Sequence, residues 1–158
     1  MRRARSGTPS RACARGSPGR LGTLRDRPYG LARLSEALAQ QVDHEAALAP
    51  AREGLEAREE TGNRQWEPEL QRLEGIALLG LNRLEDAERA LQEAMRVART
   101  QQAKAYELRA AMSLARLLGE QGRRTEAREV LAPVYGWFTE GFDTADLKEG
   151  KKLLDELT

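Results

Sequence analysis

From Leu31 to the end of the chain, the apolar residues follow the 3.6-residue period of an α-helix, and this pattern itself recurs about every 40 residues. Each unit carries an acidic residue followed by alanine just after a polar turn, at Glu45-Ala46, Asp86-Ala87 and Glu126-Ala127. A repeat of this kind limits the fold strongly, because each helical hairpin can bury its apolar face only against its neighbours. The recurrence predicts an all-α domain, built as an array of about three helical hairpins with a capping helix at the C-terminal end.

Small residues indicate how closely the paired helices approach. Gly75 lies on the first helix of its unit and Ala87 just inside the second, and this spacing brings both residues to the crossing point of a hairpin with little side-chain bulk between the helices. Pro50 stands where the second helix of the first unit should carry a bulky residue, which predicts a helix that is kinked or begins late. The apolar period and the capping residues predict helices at about 30–41, 44–61, 66–80, 84–101, 104–121, 124–137 and 144–157.

The C-terminal end of the array is marked by a cluster of aromatic residues. Four of the seven aromatic residues in the chain are Tyr135, Trp137, Phe138 and Phe142. Because a helical stack must cover its open end, we expect Trp137 and Phe138 to lie beneath the leucines of the last helix. A contact with a partner is the alternative, since Trp and Tyr are frequent interface anchors.

The N-terminal segment, residues 1–29, has no apolar period and consists largely of Arg, Gly, Ser, Pro and Ala. It can bury too little apolar surface to offset the entropy of ordering, so we predict a disordered, Arg-rich tail. Three interpretations stay open: a solvated tail, which includes a start codon assigned too early in GC-rich DNA; a weak contact with nucleic acid through the arginines; or a targeting peptide.

Charge is distributed unevenly behind the overall value of +1. Residues 1–29 hold eight arginines and one acid, which leaves 18 basic and 24 acidic residues, a net charge of −6, in residues 30–158. An acidic body argues against a surface built to bind nucleic acid. No apolar stretch approaches the roughly 20 residues that span a membrane, so we expect a cytoplasmic protein that contacts no membrane.

The sequence predicts no catalytic group, no cofactor and no metal site. The single histidine, His44, falls at a turn, and the single cysteine, Cys13, lies in the N-terminal tail. Neither has an identifiable partner for acid–base catalysis or metal ligation. We expect the carboxylates of Glu67 and Glu69 on solvated helix faces.

The repeat unit resembles the tetratricopeptide repeat, a 34-residue helix–turn–helix with small residues at the two places held here by Gly75 and Ala87. Longer segments at 69–75, 107–117 and 131–144 resemble the C-terminal end of large bacterial proteins. Those proteins join a class III adenylate or guanylate cyclase, or a transcriptional regulator, to an AAA-type ATPase and a tetratricopeptide tail. The resemblance implies a scaffold without an active site, because the chain has no strand pattern for a cyclase domain and no G-x-x-x-x-G-K-[ST] run for phosphate.

We therefore expect a non-catalytic scaffold of tetratricopeptide type that binds a protein partner, or another domain of a parent signalling protein. The expected surface is the concave side, formed by the first helix of each pair. Polar residues on those helices are the candidate partner-binding residues: Arg72, Glu74, Arg109, Ser113 and Arg116. The alternative is a detached C-terminal regulatory region of a nucleotide cyclase–ATPase signalling protein.

Overall fold

The computed structural model describes residues 25–158, and the described chain contains seven α-helices and no β-strand. The helices are α1 (Arg27–Gln40), α2 (His44–Thr61), α3 (Glu67–Gly80), α4 (Leu84–Thr100), α5 (Lys104–Glu120), α6 (Arg124–Tyr135) and α7 (Ala145–Glu156). They pack as three hairpins, α1–α2, α3–α4 and α5–α6, and α7 packs against α5 and α6. The predicted all-α array of helical hairpins with a C-terminal helix is confirmed.

The turn inside each hairpin has the same geometry in all three repeat units. One residue of each turn has left-handed backbone geometry: Val42 (φ 62°), Asn82 (φ 59°) and Gly122 (φ 78°). The amide that follows donates to a leucine carbonyl five residues back, from Asp43 to Leu38 (3.1 Å), Arg83 to Leu78 (2.9 Å) and Arg123 to Leu118 (2.8 Å). This bond is the signature of the Schellman motif, which satisfies carbonyls at the end of a helix.

Each hairpin carries two buried small residues twelve positions apart, one on each helix. The buried alanines of the second helices are Ala47, Ala87 and Ala127, and the small residues of the first helices are Ser35, Gly75 and Ala115. A Cβ atom added to Gly75 would lie 2.7 Å from Cγ of Leu91 and 3.3 Å from the carbonyl oxygen of Ala87. Such close approach confirms that Gly75 and Ala87 share a helix crossing.

The register predicted for the first hairpin is wrong by one residue. Ala46, expected at the crossing, is only half-buried, whereas Ala47 is fully buried and accepts a hydrogen bond at its carbonyl from Oγ of Ser35 at 2.8 Å. The reason is the helix cap. The side chain of Asp43 accepts a hydrogen bond from the amide of Ala46, so Asp43 is the N-cap of α2. The buried alanine lies four residues after the N-cap, which is Ala47 here and Ala87 and Ala127 in the other units.

Of the two alternatives predicted for Pro50, a late start of the second helix is wrong, because α2 begins at His44 and extends to Thr61. Pro50 is buried inside it. The space left by the small residues of this helix is filled from α3, since a Cβ atom on Gly54 would lie 2.5 Å from Cδ2 of Leu70.

The helical array begins before the boundary predicted at residue 29. α1 starts at Arg27, with Pro28 buried in its first turn, where a missing amide proton costs no helical hydrogen bond. Arg27 also pairs with Glu53 (2.5 Å) and Glu60 (3.3 Å) of α2. Residues 27–29 therefore belong to the array, Asp26 is the N-cap residue of α1, and the carbonyl of Arg25 accepts a hydrogen bond from Asn63. The remaining part of the predicted tail, residues 1–24, lies outside the described residues.

The C-terminal aromatic residues do not all pack beneath the last helix as expected. Leu147, Leu153 and Leu157 are buried, which confirms that the apolar stripe of α7 faces the array. Trp137, however, is 57% exposed and Phe142 is 47% exposed. Because α6 ends at Tyr135, Trp137 lies in the loop beyond it, where its ring meets Phe138 edge-on at 5.2 Å.

None of the seven described helices is both long enough and apolar enough to cross a membrane.

Candidate protein-binding groove

The first helices of the hairpins share one side of the array, because α1 contacts α3, α3 contacts α5, and α5 contacts α7. A groove of about 360 Å³ opens on this side. We call it the inner groove. Its lining residues are Glu36, Arg72, Arg109, Met112, Ser113, Arg116, Ala145, Asp146 and Glu149.

The inner groove brings together four of the five residues proposed from sequence: Arg72, Arg109, Ser113 and Arg116. Glu74 does not join them. Its carboxylate accepts a hydrogen bond from Nε of Arg52 at 2.8 Å, so it is turned towards α2. The helical period explains the difference, because residues two apart on a helix, such as 72 and 74, point in different directions.

Each arginine of the inner groove is paired with a carboxylate. Arg72 donates two hydrogen bonds to Glu69, at 2.7 and 3.0 Å. Arg109 lies between two helices, with Nε 2.9 Å from Asp146 of α7 and Nη1 3.4 Å from Glu69 of α3. Arg116 donates to Glu149 of α7 at 2.7 Å. The groove is thus a network of opposite charges, in which two acids of α7 neutralise two arginines of α5.

The electrostatic effect of this network is seen at Arg109. The hydrogen bond to Asp146 raises the pKa of the Arg109 guanidinium, and the negative charge of Glu69 adds to the effect, although burial opposes it. Arg109 is therefore held in its charged form. A charged arginine that already spans α3 and α7 can position a partner, because its remaining N–H groups point in fixed directions.

Ser113 has its hydroxyl occupied within the helix. Its Oγ donates to the backbone carbonyl of Arg109 at 3.0 Å, and the residue is buried. Among residues 25–158, no group of three or more His, Cys, Asp or Glu side chains is placed to hold a metal ion.

A second pocket, of about 180 Å³, continues from the inner groove and shares Glu36 and Arg109 with it. Its walls include three aromatic residues, Tyr29, Trp66 and Tyr106, which we call the aromatic row. The sequence patterns did not predict this site. Trp66 and Tyr106 hold the same place in successive repeat units, so the repeat period is the signal that could have paired them.

The acidic residues at the start of α3 and α5 are buried, so the prediction that Glu67 and Glu69 are solvated is wrong. Glu67 pairs with Arg58 of α2 at 2.6 Å. At the corresponding place one repeat later, Glu107 pairs with Arg99 of α4 at 2.7 Å. These two ion pairs connect the second helix of one hairpin with the first helix of the next.

The environment of Glu107 favours its charged form. Burial alone would raise the pKa of this carboxyl group, but hydrogen bonds from Lys104 and Arg99 outweigh burial and lower the pKa below its ordinary value. Both donors lie 2.7 Å from the carboxylate. The junction between the second and third hairpins is consequently held by a buried charge with two partners.

His44 is half-buried rather than solvated. Its ring packs directly against the backbone of Gly80, where a Cβ atom would collide with it. Its Nδ1 atom has no hydrogen-bond partner among the residues that the structure describes. The packing of its ring accounts for the glycine at position 80.

Comparison of the chain with models of known protein families and with curated proteins gives no match to either. The resemblance to the C-terminal region of bacterial cyclase–ATPase proteins stays a prediction.

Proposed function

We propose that this chain is a non-catalytic scaffold that binds a protein partner along the inner groove and acts in the cytoplasm. The observation that carries the proposal is the alignment of Arg72, Arg109 and Arg116 on one side of the array, within a groove formed by successive first helices. Helical repeat arrays commonly bind partners on an extended surface of this kind, because each repeat adds one strip to it.

Rigidity supports this function. The hairpin turns form the same hydrogen bonds in every repeat unit, and buried ion pairs of Glu67 and Glu107 join successive hairpins. A surface that is already ordered loses little entropy when a partner binds. The groove arginines are therefore presented in fixed positions.

The hairpin type supports a tetratricopeptide-like unit. Small residues face each other across the hairpin at Gly75 and Ala87, and Ala115 and Ala127, which hold the corresponding positions one repeat later, are both fully buried. The repeat unit of about 40 residues is longer than the 34-residue repeat of that family, so we propose a lengthened relative of that hairpin.

The test is affinity capture with the full chain as bait, from a nuclease-treated lysate of the source organism. The groove variant is Arg109→Ala with Arg116→Ala. The matched control is Arg89→Ala with Arg96→Ala, because these two arginines of α4 are also paired with carboxylates. The ion pairs of the control are exposed and contribute little to stability. In the groove variant, Glu69 is buried but keeps its two hydrogen bonds from Arg72, so both variants should stay folded.

We expect the groove variant to recover about one tenth of the partner that the unmodified chain recovers, and the control variant to recover all of it. Melting temperatures of all three proteins, measured by circular dichroism, check that the fold is kept. The proposal would be overturned if the groove variant and the control variant recovered equal amounts of the partner. It would also be overturned if only the control variant, with its substitutions on α4, lost the partner.

A further inference from the structure

The aromatic row joins three hairpins at one end of the inner groove. Tyr29 comes from α1, Trp66 immediately precedes α3, and Tyr106 lies in the first turn of α5. The ring centroids of Tyr29 and Trp66 are 4.7 Å apart, and those of Trp66 and Tyr106 are 6.1 Å apart. Tyr29 is 44% exposed and the other two are half-buried, so the row presents aromatic surface to solvent.

Two hydrogen-bond donors of the row are unused. Neither Nε1 of Trp66 nor the hydroxyl of Tyr106 forms a hydrogen bond with a residue in the part of the chain that the structure describes, and neither atom is sealed from solvent. Burial raises the pKa of Tyr106, and the nearby charge of Glu69 raises it further. The hydroxyl therefore keeps its proton at neutral pH and can donate to a ligand.

The charges around the row cancel. Arg33 pairs with Glu36 at 2.6 Å, and Arg109 pairs with Glu69 at 3.4 Å. A cationic ligand would meet two arginines, and an anionic ligand would meet two carboxylates. In addition, rings whose centroids are 4.7 Å apart touch each other and leave no gap in which a quaternary ammonium group could be enclosed. The row thus favours a neutral ligand with carbonyl acceptors.

We propose that the aromatic row binds a proline-rich segment of a partner in the polyproline II conformation. This inference rests on the proposed function, because it states the chemistry of the partner at one end of the inner groove. Proline rings pack well on aromatic faces, and the carbonyls of a polyproline II helix have no internal partners, so Trp66 and Tyr106 can donate to them.

The dimensions of the row agree with this ligand. The two centroid separations together span no more than about 11 Å, and a polyproline II helix rises about 3.1 Å per residue. The row therefore accommodates three to four residues, or one turn. Because the pocket of the row shares Glu36 and Arg109 with the inner groove, the same extended segment continues towards Arg116.

The experiment uses an octaproline peptide as the probe and the fluorescence of Trp66 as the readout. The chain has two tryptophans, so Trp137→Phe in the full chain leaves Trp66 as the single emitter. We expect a saturable change in its emission on titration. Tyr106→Phe, which removes only the hydroxyl, should weaken binding about fivefold, and Tyr29→Ala should weaken it about tenfold. Phe142→Ala, equally exposed but at the other end of the array, is the matched control and should leave binding unchanged.

The absence of a saturable change would overturn the inference, as would equal affinity in the unmodified protein and in both tyrosine variants. Binding of a trimethyllysine peptide with no binding of octaproline would also overturn it, in favour of a cation site. The inference and the proposed function can fail independently. Capture of a partner that depends on Arg109 and Arg116 but not on Tyr29 would contradict this inference alone. Octaproline binding with capture that is insensitive to both arginines would remove the proposed function alone.

Discussion

Val42 holds a backbone conformation that its side chain disfavours, and replacing it should stabilise the protein. Its φ of 62° lies in the left-handed region, where a β-branched residue is strained by contact between Cβ and the backbone. The equivalent residues of the other two hairpins are Asn82 and Gly122, which are the types that tolerate this geometry best. Val42 is also 73% exposed, so its side chain contributes little burial to offset the strain.

The magnitude follows from two opposing effects of Val42→Gly. Left-handed geometry costs an L-residue about 1–2 kcal/mol, and β-branching places valine at the upper end of that range. Glycine removes this cost but adds about 0.5–1 kcal/mol of conformational entropy to the unfolded chain. The net expectation is a gain of about 1 kcal/mol in the free energy of unfolding, or a rise of about 3–5 °C in melting temperature for a domain of this size.

Urea unfolding followed by far-ultraviolet circular dichroism measures the effect. The midpoint should rise while the m-value stays constant, because the surface exposed on unfolding is unchanged. Val42→Ala keeps the Cβ atom and should gain much less than Val42→Gly. The reciprocal variant Gly122→Val should lose at least about 1–2 kcal/mol. A lower free energy of unfolding for Val42→Gly, or no loss for Gly122→Val, would refute the assignment of strain to this turn.

Three further tests, with five substitutions, address the packing and the electrostatics. Ala47→Leu should cost about 1–3 kcal/mol by overpacking the first helix crossing, whereas Ala46→Leu should cost much less; equal costs in urea unfolding would contradict the register of the repeat. Glu107→Gln should make the melting temperature depend less steeply on pH in the acid range. The folded pKa of Glu107 lies below its ordinary value. The contribution of this carboxylate to stability is therefore complete above the ordinary pKa of glutamate, about 4.3, and is lost as pH falls through the folded pKa. Melting temperatures of variant and parent between about pH 3 and pH 6 measure this pH dependence. Parallel curves would show that the hydrogen bonds to the carboxylate do not stabilise the folded state. Trp137→Ala should cost less than about 1 kcal/mol because the ring is exposed, whereas Leu147→Ala should cost about 2–5 kcal/mol; the reverse order would show that the ring, and not the leucine, closes the array.

The helices were predictable because their signals are local. The spacing of Gly75 and Ala87 and the polar turns between helices appear directly in the sequence, and they give the hairpins and their period. The first hairpin was misregistered because Glu45-Ala46 resembles the acidic–alanine pairs of the other units, although the cap at Asp43 sets the start of α2. Two adjacent alanines satisfy the same apolar pattern, and only packing distinguishes them.

The candidate site was predictable only in part, because some of its residues lie on one helix and others come from distant parts of the chain. Arg109 and Arg116 fall two helical turns apart on one helix, so their common face follows from the helical period. The aromatic row was not visible, because Tyr29 and Trp66 are far apart in sequence and meet only when the hairpins stack. The exposure of Trp137 depends on where α6 ends, and helix ends are poorly determined by apolar periodicity alone.

The junctions between hairpins differ at one corresponding position, which holds Glu67, then Glu107, then Leu147. At the third junction Leu147 contributes apolar burial, and the directional contacts come from two other residues of α7: Asp146 lies 2.9 Å from Nε of Arg109, and Glu149 lies 2.7 Å from Nη2 of Arg116. Hydrogen bonds between charged groups are directional, so these pairs hold the angle at which α7 crosses α5. Because both pairs stand in the wall of the inner groove, a ligand that competes for Arg109 or Arg116 would also weaken the attachment of α7, so occupancy of the groove and docking of the last helix are thermodynamically linked.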